Sequence, residues 1–263
     1  MASARTSKKP AKKSAAKPAA ARMSLDEVMR ALEKAGSAQT KKTYARHGAK
    51  EPMFGVLFGT LKQLVDRIGV DHELALALWK TKNQDARNLA MKIADPAQLR
   101  SADLDRWAKE NNMRICGMYI ACLAAEGPHA AAKVRDWLAS PDAELRSSGW
   151  QLVAQLANLD EQTPDDWFAK HLVQIEKTIH SSPSIARASM NAAVIAIGGR
   201  SAALRKLASA AGKRIGPVEV DHGETACKTP DAVTYIGKLW ERAKKFDSPA
   251  AAERARESMR TRC

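Results

Sequence analysis

The feature that most constrains this chain is a rhythm: amphipathic stretches of helical period follow one another from Ser24 onwards, each closed by a short polar break. Ser24 precedes LDEVMRALEKAG, with Glu27 three residues on in capping-box spacing and Gly36 as a stop. Asp71 precedes HELALALWKT, and Ser101 precedes ADLDRWAKENN. A mostly apolar helix follows from Met113 to Ala125, and Pro128 opens the next. Ser140-Pro141, Thr163-Pro164 and Ser182-Pro183 then repeat one device, a hydroxyl cap followed by a proline at the first helical position. Helix pairs recurring every ~35–45 residues predict an all-α superhelix of HEAT-like repeats, an α-solenoid. Repeat-to-repeat sequence identity is weak, so this expectation rests on the helix rhythm.

Composition agrees. Ala and Leu are abundant, and only 5% of residues are aromatic, a mixture that favours helix over sheet. No apolar run approaches the ~18 residues that a membrane helix needs. Cys116, Cys122, Cys227 and Cys263 are scattered without a CxxC pair, which suggests free thiols in a reduced compartment. The formal charge of +14 makes nucleic acid the leading partner class.

Half of that charge sits in residues 1–22, where Arg5, Lys8, Lys9, Lys12, Lys13, Lys17 and Arg22 meet no acid. Such a Lys/Ala/Pro tail cannot bury enough apolar surface to offset its ordering entropy, so it is expected to be disordered. It reads as a non-specific DNA tether, with a solubilising extension or a targeting peptide as the plainer alternative. A folded domain is expected over residues 23–245. Residues 246–263 form an Ala/Arg-rich extension whose composition suits a helix.

Within the domain, residues 41–96 start with a basic loop punctuated by glycines, KKTYARHGAKEPMFGV, and pass into two amphipathic helices. Lys41, Lys42, Arg46, His47 and Lys50 cluster on or just before that loop and are the candidate DNA-binding residues, holding phosphates without reading sequence. A solvated charge run is the competing explanation. Trp79, Trp107, Trp137, Trp150, Trp167 and Trp240 occupy apolar helix positions and are expected in the core.

Residues 48–65 (GAKEPMFGVLFGTLKQLV), 77–96 (ALWKTKNQDARNLAMKIADP), 146–150 (RSSGW) and 190–199 (MNAAVIAIGG) resemble the AlkD-like DNA alkylation-repair family. The resemblance spans nearly all of residues 23–240. It implies a HEAT-like superhelix cradling duplex DNA, and an N-glycosylase that removes cationic alkylated purines without seating the base fully in a pocket. In that chemistry a carboxylate stabilises the developing oxocarbenium ion and positions water.

The departures bear on activity. The family's catalytic Asp follows Cys in a W-x-x-C-D motif; here the stretch reads Met113-Arg114-Ile115-Cys116-Gly117, and residues 111–125 hold no Asp or Glu. Gly117 falls at the Asp position, Met113 and Ala192 fall at the tryptophan positions, and Arg146 or Ser147 falls at the position of the catalytic Arg. The alternative catalytic cluster is VDHGETACKTPDAVTYI, residues 220–236, with Asp221, His222, Glu224 and Cys227 close together. It admits acid–base work, ligation of a divalent ion, or a polar loop in which Asp221 or Thr225 caps amides and Thr229-Pro230 starts the next helix.

The leading expectation is a monomeric binder of double-stranded DNA, indifferent to sequence and located with the nucleoid in the cytoplasm. It needs no cofactor or metal, and the usual glycosylase residues are missing. The alternatives are a glycosylase working from residues 221–227, with Arg146 as a further candidate, and a protein-docking HEAT scaffold.

Overall fold

The computed structural model describes residues 22–111 and 116–256, so the basic tail up to residue 21, Met113 and residues 257–263 lie outside the described residues. All the regular structure described is helical, apart from one isolated β-bridge between Gly36 and Val56.

The first three helices are α1 (Leu25–Ala35), α2 (Ala38–Arg46) and α3 (Phe58–Ile68). Ser24 forms the expected capping box with Glu27, and α1 buries Val28 and Leu32. Ser37 then caps α2 by accepting from Thr40 N. The expected basic loop is therefore helical as far as Arg46, and the irregular stretch starts at His47.

Helix pairs follow: α4 (His72–Lys80) with α5 (Gln84–Ile93), α6 (Ser101–Glu110) with α7 (Gly117–Glu126), and α8 (Ala130–Leu138) with α9 (Ala143–Leu159). Beyond a break at Asp160, α10 (Asp165–Thr178) pairs with α11 (Ser184–Gly198), and α12 (Ala202–Ile215) pairs with α13 (Ala232–Arg242). The second helices stack on one another in order, α5 on α7, α7 on α9, α9 on α11 and α11 on α13. This is the expected superhelix, with first intervals shorter than the rhythm predicts.

The inner layer explains where polar groups are buried. Every residue of α5 is buried, including Asp85, Arg87 and Lys92. Lys92 lies over the Tyr119 ring at 3.9 Å. Arg87 Nη2 bonds Glu110 Oε2 at 2.8 Å, and burial pushes the Arg87 guanidinium below its ordinary range. The same Glu110 oxygen accepts from Trp79 Nε1 at 2.7 Å, while the Trp79 and Trp107 rings stack at 4.2 Å and 6°. Such a stack contributes about 0.5–1.5 kcal/mol beyond the area it buries. Trp79, Trp107, Trp137 and Trp150 are core residues as expected, and Trp167 and Trp240 are half-buried.

Several helix starts differ from the sequence expectation. Ser101 is the first residue of α6 rather than its cap. Ser140-Pro141 does not launch α9, because Asp142 caps it by accepting from Glu144 N and Leu145 N. Pro164 and Pro183 themselves occupy the cap positions of α10 and α11. Thr229-Pro230 precedes the true cap of α13, Asp231, whose carboxyl is held below the usual range by the Thr234 hydroxyl and N–H.

A short helix, α14 (Pro249–Arg254), turns back onto α9. Ala250 N donates to Gly199 O at 3.1 Å, and Arg254 Nη1 donates to Asn158 O at 3.3 Å. Arg254 Nε also reaches Glu161 at 2.8 Å. Among the described residues no helix is long and apolar enough to cross a membrane.

Candidate nucleic-acid interface

The loop after α2 is moulded by one carboxylate. Asp85, fully buried at the start of α5, accepts from Phe54 N, Gly55 N and Val56 N at 2.6, 2.9 and 2.9 Å. Three charge-assisted bonds satisfy amides that no helix pairs. Gly55 has φ +79°, and a Cβ there would stand 2.5 Å from Ser37 O, so the turn requires glycine. The result is a rigid platform at the mouth of the superhelix.

Lys42, Arg46 and Lys50 are exposed on that platform and form no ion pair among the described residues. Lys41 lies 3.5 Å from Glu51. His47 caps the end of α2, its N–H donating to Tyr44 O.

The inner faces of α9 and α11 supply the next wall. Gly149 lets α9 approach the end of α8, since a Cβ there would come within 3.1 Å of Leu138 N. Ser147 and Ser189 hydroxyls meet at 2.6 Å between α9 and α11. The open side is made mostly of small or uncharged residues, Ser147, Ser148 and Gln151 from α9 and Ser184, Ala188 and Ser189 from α11, with Glu144 as the one carboxylate on the α9 face.

The stretch between α12 and α13 closes the cleft. Asp221 N donates to Ser184 Oγ at 2.7 Å, anchoring the stretch to the first turn of α11. Gly223, at φ +60°, donates to Asp221 Oδ1 at 2.8 Å. Thr225 Oγ1 donates to His222 O at 2.9 Å and accepts from Cys227 N at 3.3 Å. His222 Nε2 lies 3.0 Å from Thr229 Oγ1.

These three walls enclose a cavity of about 620 Å³, lined by His47 and Gly48, by Gly117, by the α9 and α11 faces, and by Asp221, His222, Thr225 and Cys227. An adjoining gap of about 360 Å³ sets Thr43, Arg46 and His47 opposite Glu224, Thr225 and Cys227. Two sequence features that stand far apart in the chain therefore face each other across one cleft.

Arg146 is not part of it. Its Nη1 donates to Ser140 O and Pro141 O, at 3.1 and 3.2 Å, at the outer start of α9. Ser147, the other candidate for that position, does line the cavity. Sequence reasoning missed Glu144, which brings a carboxylate to the cavity, and Gln151. Their signal was available: Glu144, Ser147, Ser148 and Gln151 recur at i, i+3, i+4 and i+7 along one face of α9. Among the described residues no group of three or more His, Cys, Asp or Glu is placed to hold a metal ion. Cys116 and Cys122 are buried and Cys227 is exposed, none of them in a disulfide.

An all-α superhelix with a polar, small-residue cleft between a basic helix end and a structured loop defines a class of helical-repeat proteins built around an open groove. The profile of a family described as DNA alkylation repair enzyme matches residues 28–236. The chain belongs to that family. It is 29% identical over 228 residues to an uncharacterised protein of Listeria monocytogenes, covering 84% of this chain and 97% of that one. An uncharacterised protein of Listeria innocua is also 29% identical, over 83% and 96% of the two chains. A solved structure described as a new family related to the HEAT-like repeat DNA glycosylases, with affinity for branched DNA structures, superposes with a TM-score of 0.77. It is 30% identical, over 86% of this chain and 98% of that one.

Proposed function

We propose that this chain binds DNA in the cleft without reading its sequence, gripping duplex arms of linear or branched molecules, and that the family's usual excision chemistry is not carried at position 117. The observation that carries the reading is the convergence of Arg46 and His47 with the 221–227 stretch around a cavity floored by serines and glycine. Glu144, Asp221 and Glu224 make the cleft electrostatically mixed rather than a uniform cation trap. Phosphates therefore belong on the α2 side, against Lys42, Arg46 and Lys50, where backbone contacts fix register and carry no sequence information. The affinity of the structural neighbour for branched DNA supports the same class of ligand.

The test is fluorescence anisotropy on duplexes of unrelated sequence and on a four-way junction, with the full chain and with residues 22–263. Affinity should be nearly independent of sequence, and its logarithm should fall linearly with the logarithm of salt, at a slope of about −0.9 per phosphate contact. Binding by the tail alone, or a strong preference for one sequence, would overturn the reading.

A second reading has one observation in its favour: the Glu144 carboxylate lines the same cavity as Asp221 and His222. A carboxylate and an imidazole facing one space can stabilise a cationic centre and handle a proton. Release of methylated purines from duplex DNA, lost on Glu144→Gln or His222→Ala, would replace the first reading's view of excision. The expected result is no release.

A further inference from the structure

A second cavity, of about 440 Å³, lies beside the cleft among α7, α9, α11 and α13, and shares Ala188 and His222 with the first. Its volume falls in the ~300–1,000 Å³ range of small-ligand pockets. No lysine or arginine lines it, so it offers nothing to balance a phosphate. Its walls are apolar in part, with Met118, Ile195 and Leu239, and Tyr235 brings an aromatic ring.

Its polar lining comprises the amides of Gln155, Asn158 and Asn191, with His222, Thr229 and, at the α14 end, the Glu253 carboxylate, and two of the amides are short of partners. Gln155 is only 6% exposed, and its Oε1 is buried with no hydrogen-bond partner among the described residues. Native proteins seldom leave such a group unpaired without a use for it. Asn191, 3% exposed on the facing helix, gives an N–H to Pro230 O at 3.0 Å, and no described residue donates to its Oδ1. Donors and acceptors on neutral, planar side chains match the edge of a neutral planar ligand that itself offers both, and a nucleobase is such a ligand.

We infer that this cavity receives a single unpaired nucleobase, its edge met by Gln155 and Asn191 and its face by Tyr235, while the adjoining duplex lies in the cleft. The inference rests on the cleft being the DNA site. His222, common to both cavities, stands at the threshold between them. Extrusion is cheapest for a base with no partner, so the site selects DNA carrying bulged or junction bases over fully paired duplex. Edge pairing and stacking of this kind correspond to about a tenfold preference or more.

The experiment compares the full chain on a fully paired duplex and on the same duplex with one bulged aminopurine, a fluorescent adenine analogue, by anisotropy and by aminopurine emission. The wild-type chain should bind the bulged duplex about tenfold more tightly and change the emission of the analogue. Gln155→Leu and Ala192→Leu should abolish that preference while keeping affinity for paired duplex. Ala192 is exposed, and Gln155→Leu removes an unpaired amide, so both variants should keep the wild-type melting temperature. Equal wild-type affinity for the two duplexes, or a preference untouched by both variants, would overturn the pocket and leave the cleft standing. Failure to bind either duplex would overturn the cleft, and the pocket with it.

Discussion

The side-chain amide of Gln151 stands 3.0 Å from the point that a Cβ on Gly117 would occupy. Position 117, to which the resemblance assigns the catalytic Asp, is thus open to the cleft and bordered by a flexible amide rather than by backbone. Gly117→Asp should be accommodated by a small shift of Gln151, with an acid in the first turn of α7 favoured by the helix dipole. Melting temperature should stay within a few degrees of wild type. Excision of methylated purines, read by chromatography of released bases, should remain absent, because Ala192 and Met113 are the residues that the resemblance sets at the tryptophan positions. Robust release by this single variant would show that the cleft lacks nothing but a carboxylate at position 117.

Asp85 should be the most sensitive residue of the binding platform. Asp85→Ala strands the N–H groups of Phe54, Gly55 and Val56 in a buried setting. The expected loss is about 3 kcal/mol or more in denaturant unfolding. Duplex affinity should fall as well, although Asp85 is itself buried away from any DNA. A variant as stable as wild type would mean that the platform is held by its other contacts.

Lys42→Ala, Arg46→Ala and Lys50→Ala should each weaken duplex binding to a similar degree on every sequence and lower the magnitude of the salt slope by about 1. Arg146→Ala is the control, since its guanidinium is spent on the carbonyls of Ser140 and Pro141. It should leave the slope unchanged. An Arg146→Ala variant with a reduced slope would place DNA on the outer side of α9.

Acid should weaken the fold through His171. Burial lowers its pKa from 6.5, only partly offset by its bond to the Trp167 carbonyl. That carbonyl can only accept, so Nδ1 carries the proton in the neutral ring. The ring lies 4.0 Å from Trp167 and meets Trp150 edge-on at 6.0 Å. Because the folded pKa is depressed, the contribution is complete above the unfolded value of about 6.5 and is lost as pH falls through the lower folded value. Unfolding free energy measured from about pH 7.5 to about pH 5 should decline, and less steeply in His171→Gln. Identical slopes in the two proteins would exclude His171 as the source.

The helical rhythm was legible because side-chain caps are local: Ser24 and Asp71 act where their spacing says they do. The Ser/Thr-Pro pairs misled because proline suits both the cap and the first turn, and a following acid does not separate the two: Asp142 caps α9, whereas Asp165 is the first residue of α10 behind Pro164. Residues 81–83 hid a helix boundary. Lys82 takes φ +61°, a conformation no sequence pattern announces, and Asn83 then caps α5. The burial of Asp85, Arg87 and Lys92 was illegible for a related reason, since each finds its partner far along the chain. The basic cluster after Lys41 and the loop around His222 were both visible in the sequence. Their juxtaposition was not, because it depends on the summed rotations of all the helix pairs between them.

The return of α14 to α9 has a mechanical meaning. A stack of helix pairs that touch only their neighbours is a spring, and small rotations at each joint add up to a change of pitch. Arg254 and Ala250 fasten the end of the last turn to α9 and to the end of α11, on earlier turns. Over that half the spring is pinned, and the opening has a set gauge. Such a groove acts as a calliper, admitting what fits its jaws and making what does not fit bend or open to enter.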